Sequence, residues 1–154
     1  MEGSSASYRD IYEFLTNFFI DFSTGKDTSR CLRTCRHILE RKELSEVDIQ
    51  SLQITESTLD FAIQNICEEL FRYQYKVEYV ITLLAFSIEL DRCLESESWY
   101  STERLVEALA KQLIKTDFEP TTMGGDSEFH FSRLLMNVPA LFLAYCIQKW
   151  NLFN

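Results

Sequence analysis

Residues 77–90 read VEYVITLLAFSIEL, and the fold turns on whether this run is a strand or a helix. Its β-branched start, with Val77, Val80 and Ile81, suits a strand. Its length argues the other way, because the apolar pattern continues to about Leu94, well past an ordinary strand. A helix that is apolar nearly all round belongs at the centre of a bundle, wrapped by others. The pattern therefore predicts a buried central helix over 77–94.

The breakers around this run agree. The chain has only four glycines and two prolines in 154 residues, and none of them lies between residues 26 and 119. So long a stretch without a strong breaker predicts helices joined by short polar turns. A sandwich, a barrel or a Gly-rich nucleotide-binding fold needs more turn residues.

Working outward, Ile11, Phe14, Leu15, Phe18, Phe19 and Phe22 form one apolar stripe at helical spacing, which Gly25 is expected to stop. A second helix is expected from Ser29 to about Glu43, with Leu32, Cys35, Ile38 and Leu39 inward. A single turn capped by Ser45 follows. Thr55 opens a fourth helix, with Leu59, Ile63, Ile66 and Leu70 on one face, ending near Phe71. The central run is then the fifth. After a polar turn at 94–98, residues 102–116 form a sixth, with Leu105, Leu109 and Leu113 aligned. Pro120 ends that region, and Gly124 and Gly125 mark a sharp turn. Short helices are expected over 129–136 and 138–150. The expectation is thus an all-α bundle of seven or eight helices, a single domain over 1–154 with a flexible N-terminus at 1–7.

Composition narrows the function. Lys and Arg number 15 against 24 Asp and Glu, a formal charge of −9, so nucleic acid is not an expected partner. A hydrophobic fraction of 46%, with 12 Phe, 7 Tyr and 2 Trp, supplies a core that a disordered chain lacks. The N-terminus has no basic region leading into an apolar run, so no signal peptide is expected. Five cysteines, at 31, 35, 67, 93 and 146, fit no disulfide framework and are read as reduced, mostly buried thiols. Cys31 and Cys35 beside His37 lack a fourth ligand at metal-site spacing, so no metal or other cofactor is expected. No catalytic motif is present, and Glu68 and Glu69 point about 100° apart on a helix, so an enzyme is not expected. Residues 134–153 hold 15 apolar residues in 20, long enough to span a bilayer. Asn137, Gln148, Lys149 and Asn151 interrupt them, and Pro139 follows Asn137 like a first-turn proline. A last helix docked on the domain is favoured over a tail anchor.

Residues 52–72, LQITESTLDFAIQNICEELFR, resemble the fourth-helix region of the Bcl-two family of apoptosis regulators, whose survival members carry a similar LxIT…T…ELFR segment. The ITLLAF run at 81–86 is similar to the core of that family's first homology motif, on its central fifth helix. Phe118, Glu119 and Pro120, followed by Gly124, Gly125 and Phe129, resemble the second motif. Glu13, Phe14 and Leu15 resemble the N-terminal homology helix. The likeness spans roughly residues 8–130.

The departures are specific. The family's NWGR signature falls on Lys76, Val77, Glu78 and Tyr79, all different, so the Arg that pairs with the Asp of a bound death-promoting (BH-three) helix is replaced by Tyr79. The Trp positions of the second motif are Thr121 and Asp126. In the chain's own BH-three region Arg36 and His37 stand where a small residue and Asp are expected, which makes it a poor death ligand itself. Such a pared-down sequence resembles viral family members. The resemblance implies a groove that holds BH-three helices of pro-death proteins and blocks permeabilisation of the mitochondrial outer membrane, placing the protein in the cytoplasm, peripheral at that membrane. By position the groove takes Ile66, Leu70 and Tyr79, then Leu39, Leu44 and Ile49, with Glu69 and Arg72 on its rim. The alternative is a homodimeric module of the same fold acting on host innate signalling with its groove closed. The sequence leaves the oligomeric state open.

Overall fold

The computed structural model describes residues 6–40, 49–50 and 52–123, and among these the secondary structure is helical, with no strand. Among the described residues the elements are α1 (Tyr8–Ser23), α2 (Arg30–Glu40), α3 (Leu59–Leu70), α4 (Val77–Leu94) and α5 (Thr102–Leu113), followed by a 3₁₀ turn (Pro120–Met123). The expected fifth helix is thus α4. Leu44, the Ser45 turn, Gly124, Gly125 and the 134–153 segment lie outside the described residues.

The strand-or-helix question at 77–90 resolves as helix. Val80 to Ile88, Leu90 and Leu94 are all buried, on every side of α4. Two hydroxyls are buried with them, and each is satisfied inside the helix: Thr82 Oγ1 donates to the Glu78 carbonyl at 2.9 Å and Ser87 Oγ to that of Leu83 at 2.7 Å. The other helices are amphipathic and lay their apolar faces inward. α2 packs on α4, while α1 and α3 both pack on α5. The predicted stripes are the buried faces: Ile11, Leu15, Phe18, Phe19 and Phe22 on α1, and Leu59, Ile63, Ile66 and Leu70 on α3. Phe14 is half-buried and meets the buried Phe118 edge-on at 5.5 Å.

Helix ends differ from the sequence reading where side-chain oxygens decide them. Ser7, placed in the flexible N-terminus, instead caps α1. Its Oγ accepts from the Asp10 N–H at 3.1 Å, and the Asp10 carboxylate accepts from the Ser7 N–H at 3.3 Å. Ser29 Oγ accepts from the Leu32 N–H at the start of α2. Thr55 does not begin regular helix. It forms a turn with Thr58, whose Oγ1 accepts from the Thr55 N–H at 2.8 Å, and α3 starts at Leu59. Helix α5 stops at Leu113, short of the expected Thr116. Pro120 opens the 3₁₀ turn, a place where its missing N–H costs nothing.

Cys31, Cys35 and Cys67 are buried, Cys93 is half-buried, and no disulfide joins these four thiols. Among the described residues no group of three or more His, Cys, Asp or Glu could hold a metal ion, and no helix is long and apolar enough to cross a membrane.

Candidate functional site

The chain leaves α3 at Leu70 and enters α4 at Val77, and this junction gathers aromatic rings. Phe71 stacks on Tyr75 with centroids 5.9 Å apart and meets Tyr79 at 6.5 Å. The Lys76 ammonium stands 5.8 Å from the Tyr79 ring centroid. Burial first, then the nearby Asp117 and Glu119 carboxylates, push the Tyr75 phenol up to about 12. The three rings form a half-buried aromatic surface at the N-terminal end of the central helix. Residues 71, 75 and 79 are spaced at helical intervals across a non-helical link, an aromatic signal that picking Tyr79 alone missed.

The other candidate residues separate into distinct environments. Ile66 and Leu70 are 3% and 2% exposed and belong to the core, as does Ile49 at 2%. Leu39 is half-buried against that core. Glu69 and Arg72 form an ion pair at 3.0 Å, with side chains 12% and 48% exposed, on the α3 side of the aromatic junction.

Ile49 also lines a cleft of about 290 Å³ with Gln50, Gln53, Ile54, Leu90 and Cys93, at the far end of α4 from Tyr79. Gln53 there takes a left-handed φ of 51°. Tyr79 and Leu90 are eleven residues apart, so they share one face of α4 about 16 Å apart along its axis. Leu83 and Phe86, between them on that face, are fully buried. Leu90 is itself only 1% exposed, so of this stripe Tyr79 is partly accessible and the rest is covered. A second cleft, about 240 Å³, lies between α3 and α5 and is lined by Cys67, Glu68, Phe71, Gln112, Lys115 and Thr116.

Two anchoring groups had no sequence signal. Arg36 Nη2 donates to the Phe22 carbonyl at 2.9 Å and the Lys26 carbonyl at 2.8 Å, and its guanidinium lies 4.2 Å over the Phe22 ring. The Asp91 carboxylate accepts from the Tyr100 hydroxyl and, at 2.8 Å, from Thr102, tying the α4–α5 turn back onto α4. Burial, then that bond and the Asp91 charge, raise the Tyr100 phenol far above its usual value.

No protein-family model, curated protein or solved structure matches the chain.

Proposed function

We propose that the protein is a divergent survival member of the Bcl-two family that sequesters the BH-three helix of pro-death proteins along α4. The observation that carries this reading is the face of α4 from Tyr79 to Leu90. It is apolar, spans about 16 Å, joins the aromatic junction at its partly exposed Tyr79 end and, through the covered Leu90, borders the more polar Ile49 cleft at the other. A ligand helix with apolar anchors from i to i+11 has the same length. The sequence likeness at 52–72 and 81–86 supports the same reading.

Tyr79 makes the proposed site differ from its relatives. A neutral hydrogen bond to a ligand Asp contributes about 1 kcal/mol, against about 1.5–3 for a charged one. The ring replaces part of that with apolar contact. Affinity then rests on shape and apolar burial, so ligand range narrows. The pinned Arg36 argues that α2 serves the fold rather than acting as a death ligand itself. The site of action in this reading is the cytoplasmic face of the mitochondrial outer membrane.

Titration with a panel of BH-three peptides tests it. At least one should bind with a Kd of about 1 μM or below; no binding tighter than tens of micromolar to any of them, roughly −6 to −7 kcal/mol, would sink the proposal.

One observation favours the second reading, the homodimeric module with a closed groove: Ile66, Leu70, Leu83 and Phe86 are all covered. Light scattering distinguishes the two, since that reading requires a dimer and no peptide binding.

A further inference from the structure

We infer that Tyr73 is a phosphoryl-acceptor site for an ATP-dependent tyrosine kinase. Tyr73 is 88% exposed, the most exposed large hydrophobic side chain among the described residues. It sits in the 71–76 link, outside both α3 and α4. A kinase needs such an arrangement, because the acceptor oxygen must reach deep into its active site in line with the γ-phosphate. The neighbouring rings are held back: Tyr75 stacks on Phe71 and Tyr79 packs against Phe71. Tyr12 and Tyr100 are partly buried, and Tyr8, at 40%, lies 6.1 Å from the Tyr12 ring.

The sequence around the acceptor is mixed in charge. Arg72, paired with Glu69 at 3.0 Å, precedes Tyr73, and Lys76 follows at the N-cap of α4. In the transfer the phenol oxygen attacks the γ-phosphorus of ATP. The new O–P bond replaces the bond to the β-phosphate bridging oxygen, ADP departs, and the phenol proton passes to the kinase base. The acceptor role does not depend on whether a helix binds along α4.

The full chain is incubated with MgATP and, separately, two unrelated tyrosine kinase domains, and sites are read by peptide mass spectrometry. The expected result is about one phosphate per chain on Tyr73, absent in Tyr73→Phe and retained in Tyr75→Phe. Preferential labelling of another tyrosine, or no labelling of Tyr73 by either kinase, would overturn the assignment.

Discussion

Arg36 holds the corner between α1 and α2 with one nitrogen on two carbonyls and its plane over the Phe22 ring. The last carbonyls of a helix have no intrahelical donor and carry partial negative charge, so a guanidinium suits them twice over. Arg36→Ala should lower stability by about 2 kcal/mol. Arg36→Lys should recover less than half of that, because an ammonium cannot stack and bridge together. Urea midpoints at constant slope measure both. This role was not legible in the sequence, where Arg36 stood only as a departure from a family pattern. Its partners are main-chain oxygens, and these carry no residue-type signal. Asp91 was hidden for another reason: its partners Tyr100 and Thr102 lie across a turn, and many polar residues nearby could have served.

The helices themselves were legible because burial imposes a period. The stripes on α1 and α3 and the all-round burial of α4 follow from spacing alone, since a helix that packs on one side repeats every 3.6 residues. Ends were harder, because a cap depends on which short hydroxyl or carboxylate wins a particular N–H, as at Ser7 and Thr58. Gly25 is the end that could be read. It has φ +80°, its N–H donates to the Phe22 carbonyl, and the Lys26 N–H donates to that of Asp21, which together complete a Schellman closure. A Cβ added at Gly25 would meet no atom within 4 Å, so the cost of Gly25→Ala is purely that of the left-handed backbone. The expected loss is about 1 kcal/mol, with no change in helix content by circular dichroism at low denaturant. A loss above about 3 kcal/mol would mean that the α1–α2 corner is strained in ways the backbone does not reveal.

At the scale of the molecule, the core is one continuous body, and its buried acids make it sensitive to base. Cys35 is fully enclosed, its Sγ 3.7 Å from the Ile81 carbonyl, and burial raises its thiol well above 9. Tyr75 rises from 10 to about 12. In both cases the unfolded chain releases a proton that the folded chain retains. The folded state therefore binds more protons, and stability is fully present below about pH 9 and falls as pH rises from there to about 12. Tyr75→Phe, which keeps the stack on Phe71, should flatten the part of that fall between pH 10 and 12. The location of the proposed groove was less legible than the core, since a helix stripe looks the same in sequence whether it faces a core or a ligand. Ile66 and Leu70 show the difficulty, being 3% and 2% exposed at positions read as groove. Substitution separates the two roles. Ile66→Ala should cost about 2–4 kcal/mol of stability, as for a core aliphatic, while peptide affinity per folded molecule changes by less than about threefold. Tyr79 is half-buried, so Tyr79→Ala should cost less in stability, about 1–2 kcal/mol, yet lower affinity about tenfold. The opposite pattern, with affinity lost at Ile66 and kept at Tyr79, would require α3 to swing away from the core on binding. Hydrogen exchange on α3 amides would then speed up or slow down with peptide present, whereas a ligand seated against Tyr79 alone leaves them unchanged.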